Sequence, residues 1–126
     1  MKHLLDVNLL IAGIVQTHSL HARARTWLKG KQIVLCPLVE LGFLRISTNH
    51  RSGIGLTMER ARDALEKFAS ERGADRIPDD LPALASRAPA SDQVTDHYLA
   101  NLAAEHGFKL ATFDMQLKHP SAELIS

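Results

Sequence analysis

The apolar positions along the chain change period several times, and each change marks an element. Leu4 and Leu5 read as the end of a short buried strand. From Asn8 to about Gln16 the chain is so uniformly apolar that the helix it predicts is buried. Ser19 or His21 opens a second helix through Trp27 and Leu28, closed by Gly30. Ile33, Val34 and Leu35 lie between a polar turn and Pro37, which predicts a buried strand. Pro37 suits the first turn of the next helix, where its missing N–H needs no partner. That helix is expected to run to about Thr48.

His50 to Gly55 reads as a loop with two glycines. Thr57 caps a helix with apolar positions at Met58, Ala61, Leu65, Phe68 and Ala69, and Gly73 ends it. Arg76, Ile77 and Pro78 suggest a short edge strand. The segment from Asp79 to Pro89 is rich in Pro and Ala and carries no clear period. A helix is expected from about Asp92 to His106, with Val94, Tyr98 and Leu102 spaced i, i+4, i+8. Leu110 to Phe113 predicts another buried strand, and Ala122 to Ile125 a last one.

Strands alternating with helices predict an α/β domain over residues 1–126. Its central sheet should be mostly parallel, with four or five short strands and helices on both faces. Ligands of such sheets bind beyond the carboxyl ends of the strands. Asp6 directly follows one strand, Asp114 follows another, and Glu40 lies one turn into the helix after a third. Parallel strands put all three on one edge. Asp96 shares a helical stripe with Leu99 and Ala103, so it points partly inward near the helix start, where the dipole favours negative charge.

Composition narrows the chemistry. The 126 residues are 45% hydrophobic with a formal net charge of +1, so a folded domain is expected and nucleic acid is neither demanded nor excluded. Seven histidines are scattered without zinc-ligand spacing, and the lone Cys36, read as a small buried hydrophobe, excludes an internal disulfide. Asp6 and Asn8 interrupt the apolar N-terminus, which is too short to span a membrane and lacks the marks of a signal sequence. A cytoplasmic protein is the expectation. What remains unusual is four carboxylates in apolar runs, with no obvious buried Lys or Arg beside them. Buried charge needs a partner, and four acids brought together point to a divalent cation. Taken one at a time, Asp6 could simply cap a helix, Glu40 and Asp96 could be first-turn acids, and Asp114 could sit in a turn.

In order along nearly the whole chain, these pieces resemble a PIN-domain ribonuclease of the VapC-like toxin type. Leu-Leu-Asp-Val-Asn-Leu-Leu-Ile-Ala is similar to the family's first motif and Pro-Leu-Val-Glu-Leu to the second. Gln-Val-Thr-Asp-His-Tyr-Leu-Ala-Asn-Leu-Ala is similar to the third and Leu-Ala-Thr-Phe-Asp to the fourth. The resemblance implies that Asp6, Glu40, Asp96 and Asp114 are the metal-binding and catalytic carboxylates, with Asn8 and Thr112 in support. It implies Mg²⁺- or Mn²⁺-dependent cleavage of RNA, a homodimer, and a small cognate antitoxin. The chain departs from the family pattern between Asp75 and Ser91, which is short and Pro-rich where a further helix is expected.

RNA is held chiefly through its phosphates. Arg45, His50 and Arg51 after the Glu40 helix, and Lys118 and His119 after Asp114, are the candidates, with ordinary solvated surface as their alternative. Other functions stay open. A haloacid-type phosphatase calls for an Asp where this chain has Asn8. A receiver-like phosphorylation module would use the acids with Thr112 and Lys109, but leaves the Glu40 helix without a place. A catalytically inactive PIN module would bind RNA or protein only.

Overall fold

A computed structural model of the chain describes residues 1–125. Among these residues, five short strands form one sheet: β1 (Lys2–Leu5), β2 (Gln32–Leu35), β3 (Asp75–Arg76), β4 (Lys109–Thr112) and β5 (Ala122–Leu124). Their order is β3-β2-β1-β4-β5, and every neighbouring pair is parallel. The α-helices are α1 (Val7–Ile14), α2 (His21–Leu28), α3 (Pro37–Thr48), α4 (Met58–Arg72) and α5 (Val94–Glu105).

Strand order dictates the layers. The steps β1 to β2 and β2 to β3 go one way across the sheet, and β3 to β4 returns the other way. Right-handed crossovers therefore put α1–α4 on one face and α5 on the opposite one. The packing agrees: α1 lies against α2 and α3, α3 against α4, and α5 against β4 and β1. Because both faces are covered, the central strands are apolar on both sides, and Leu4, Leu5, Val34, Leu35, Leu110 and Ala111 are fully buried.

Several boundaries differ from expectation for local reasons. Asp6 is the N-cap of α1, so the helix begins at Val7. Met58 is the first residue of α4 and is exposed, outside the buried stripe of Ala61, Leu65, Phe68 and Ala69. Val94 is likewise exposed in the first turn of α5, ahead of half-buried Tyr98 and buried Leu102. The edge strand is Asp75–Arg76, a residue earlier than the apolar reading suggested. Residues 77–93 hold no α-helix, only 3₁₀ turns at Ala83–Ala85 and Ser91–Gln93. Polar contacts tie this segment down. Asp79 accepts the Leu38 N–H at 3.0 Å, and the Tyr98 hydroxyl donates to the Leu81 carbonyl at 2.7 Å.

One glycine sets how closely α3 approaches the start of α1. A Cβ at Gly42 would meet Val7 Cγ2 at 2.8 Å. Val7 is β-branched and has few rotamers with which to retreat. Gly42→Ala gains helix propensity worth about 1 kcal/mol, yet overpacking here should cost more, about 1–3 kcal/mol. A lowered midpoint of thermal unfolding is expected; an unchanged or raised midpoint would show that the contact relaxes freely.

Candidate active site

The register of the sheet builds the site. Leu5 pairs with Ala111, so the residues that follow, Asp6 and Thr112, meet at the carboxyl edge. Each Asp6 oxygen has a protein partner. Oδ1 accepts the Leu9 N–H at 2.7 Å as the cap of α1, and Oδ2 accepts the Thr112 hydroxyl. The same hydroxyl accepts the Asp114 N–H at 3.0 Å, so Thr112 links the first acid to the last. Asp6 thus does what either isolated reading predicted: it caps a helix and joins an acidic cluster.

Asp6 is only 1% exposed. Burial pushes its carboxyl from 3.8 up to about 7; the bonds from Thr112 and Leu9 pull it down, and the charges of Asp96 and Asp114 push it up again. Asp96 comes from the first turn of α5. Its carboxyl is raised too, first by burial and then by the neighbouring Asp114. Among the described residues, none of these three acids forms an ion pair with Lys, Arg or His.

Glu40 behaves differently. Its Oε1 accepts Arg76 Nε at 3.1 Å and Arg76 Nη2 at 2.9 Å, and the pairing raises the Arg76 guanidinium. The expectation that no basic residue stands by the acids is therefore corrected for Glu40. Its counter-charge arrives 36 residues later, on the edge strand. Three of the four acids are brought together, and the fourth is turned to Arg76.

The remaining candidates separate by contact. Asn8 is exposed and lines an open cavity with Asp114. His119 is clamped: Nδ1 accepts the Ser121 N–H at 3.0 Å, which leaves the Nε2 proton for Asn101 Oδ1 at 2.7 Å. Burial, then His97, lowers its imidazole. Both ring nitrogens are engaged, which argues against the phosphate role expected from sequence. Lys118 is exposed and donates to the Met115 carbonyl at 3.1 Å. Arg45, His50 and Arg51 are exposed in the last turn of α3 and the 3₁₀ turn after it, more than a helical turn beyond Glu40. Cys36 is buried, with its thiol pushed up to about 12, so it is no thiolate nucleophile.

Sequence reading missed three neighbours of the site: His18, Arg23 and Phe113. The cavity beside Asp114 includes His18 and Phe113, and Arg23 lies over the Phe113 ring. Phe113 was detectable, since it stands between Thr112 and Asp114 in the chain. His18 and Arg23 carried no signal in the chain. The receiver-like alternative loses its lysine, because Lys109 opens β4 at the amino edge and donates to the Pro120 carbonyl at 3.2 Å.

The donor set fits a hard cation: three carboxylates from three elements, one deeply buried and none paired with a base. Among the described residues, no three acidic, imidazole or thiol groups close around one point as a ready-made cage. Magnesium does not require such a cage, since it keeps several waters and uses one or two carboxylates.

Comparison with known proteins agrees with this architecture. The PIN domain family model matches residues 3–122. The chain is 38% identical over 120 residues to Ribonuclease VapC38 of Mycobacterium tuberculosis, covering 88% of this chain and 84% of that protein. It is 35% identical to Ribonuclease VapC39 of the same organism, covering 93% and 91%. A crystal structure of VapBC2 from Rickettsia felis bound to a DNA fragment from their promoter contains a chain of the same fold. The TM-score is 0.64, with 16% identity and coverage of 98% of this chain and 97% of that one. The chain therefore belongs to the PIN domain family, as a VapC-like member.

Proposed function

We propose that this protein is a metal-dependent endoribonuclease, the toxin of a toxin–antitoxin pair. The observation that carries the reading is the meeting of Asp6, Asp96 and Asp114 at one sheet edge without a basic partner. The similarity to VapC ribonucleases supports RNA as the substrate.

Asp6, Asp96 and Asp114 would hold Mg²⁺ or Mn²⁺. Glu40 would be a further ligand only on giving up Arg76. A bound divalent ion supplies an acidified water and offsets the charge building on the phosphate oxygens. Asp6 is kept rigid by Leu9 and Thr112, so its carboxylate presents fixed lone pairs. Asp96, raised by burial and by Asp114, is suited to take the proton of the attacking water on a carboxylate oxygen. Asp114 would be the alternative acceptor.

We further propose two protein partners, a second copy of the chain and an antitoxin. The Rickettsia felis complex supports the second by analogy of fold. An open groove of about 630 Å³ supports the first; it runs between Leu38, the 79–88 segment and the start of α5. Leu84 and Val94 line it exposed, at 92% and 57%. Asp79 and Arg87 bring opposite charges to the same patch, which a two-fold axis could pair across two copies. A solution mass of one 13.9 kDa chain would refute the dimer. No described helix is long and apolar enough to cross a membrane.

The activity test is cleavage of single-stranded RNA with Mg²⁺ or Mn²⁺. Products should appear with metal and stop on adding chelator. Cleavage that persists in excess chelator would sink the mechanism.

A further inference from the structure

Beside the acids opens a cavity of about 440 Å³ lined by Asn8, His18, Leu20, Phe113 and Asp114. Its walls differ in chemistry. Asn8 and Asp114 make it polar, whereas Leu20 and the Phe113 ring make it apolar. At the end of β4 the Thr112 hydroxyl turns to Asp6, and Phe113 and Asp114 follow the strand. A ring and a carboxylate from these consecutive residues both line this space. The Arg23 guanidinium stands 5.6 Å from the centre of the Phe113 ring, which adds positive charge to the aromatic wall. His18 Nδ1 accepts the Leu20 N–H at 3.0 Å, so the neutral ring carries its proton on Nε2. That N–H has no protein partner among the described residues.

We propose that this cavity is a nucleobase subsite. It takes one unpaired base of the RNA strand next to the phosphodiester held at the acids. Phe113 is the stacking platform, and Arg23 and His18 donate to the adjoining phosphate. The proposal rests on the ribonuclease reading above. Its volume suits a base with its ribose, since small-ligand pockets run from about 300 to 1,000 Å³. The base must be unpaired, because bases inside an RNA duplex have no free face to stack. With Phe, Trp and Tyr only 5% of the chain, Phe113 is the one of them that lines this cavity. An aromatic platform reads any base by its face, so the subsite selects single strands more than sequence.

The test pairs the RNA base with the ring. Single-stranded oligoribonucleotides carry one abasic residue, moved stepwise across the cut site. Wild type and Phe113→Leu are compared in kcat and KM. For wild type, one abasic position should raise KM about tenfold while kcat stays within about twofold. Phe113→Leu should show that rise with intact RNA, and the same abasic residue should then add nothing. Arg23→Gln should also raise KM and flatten its dependence on salt. A retained kcat shows that each variant is folded. If the abasic residue costs wild type and Phe113→Leu alike at every position, no base stacks on this ring and the subsite is refuted. A wild type that cleaves none of the RNAs overturns the ribonuclease reading and the subsite together.

Discussion

Asp6→Asn should lose more than about a hundredfold in RNA cleavage and yet unfold at a higher temperature than wild type in metal-free buffer at pH 8. The loss of activity follows from removing a metal-binding charge, since even residues one shell further out matter ten- to a hundredfold in metal sites. The gain in stability follows from burial. The Asp6 carboxyl is moved from 3.8 to about 7, chiefly by desolvation. Holding it ionised in the folded state therefore costs about 4 kcal/mol above pH 7. Asparagine removes that cost and keeps the cap, because Asn and Asp are equivalent N-caps for the Leu9 N–H. The sign sets the pH window. Below about pH 4 the acid is protonated in both states, so wild type and variant should converge. As pH rises toward 7 the unfolded chain releases the proton first, and wild type loses stability that the variant retains. Thermal unfolding at pH 4, 6 and 8 reads the effect. Equal midpoints at pH 8 would mean that Asp6 carries no buried-charge penalty, and full cleavage by the variant would remove it from the site.

Adding Mg²⁺ should reverse the same penalty. Ligation requires ionised carboxylates, so the cation should stabilise wild type strongly at pH 8 and little at pH 5. At a hundred times its dissociation constant, a ligand that binds only the folded state adds about 2.7 kcal/mol. Asp96→Asn should weaken the midpoint shift by removing one of the three acids. A shift of equal size at both pH values, or one unchanged in Asp96→Asn, would place the cation elsewhere.

These effects show which parts of the site were legible along the chain. The apolar runs ending at Leu5, Leu35 and Phe113 located three parallel strands, the last of which ends at Thr112, because strands covered on both faces must be apolar. Once the strands were known, chain order alone put Asp6 and Asp114 on one edge, and helical period turned Asp96 toward them. Thr112 was named from a resemblance, but its role came from register: pairing of Leu5 with Ala111 sets its hydroxyl against Asp6. Asp79 to Pro89 shows no clear period in the sequence and holds no α-helix, only the 3₁₀ turn at Ala83–Ala85, since a Pro-rich segment without a period offers a helix neither donors nor a buried stripe.

The local pattern thus determined most elements and the α/β class, because each follows from periodicity within a few residues, and chain order along parallel strands put Asp6, Glu40 and Asp114 at one edge. Tertiary structure alone decided the partners. Arg76 takes Glu40 across 36 positions, Asn101 clamps His119 across 18, and Arg23 reaches Phe113 from a helix ninety positions earlier. Side chains choose such partners by distance in space, and a sheet order of β3-β2-β1-β4-β5 makes neighbours of residues that the chain keeps far apart.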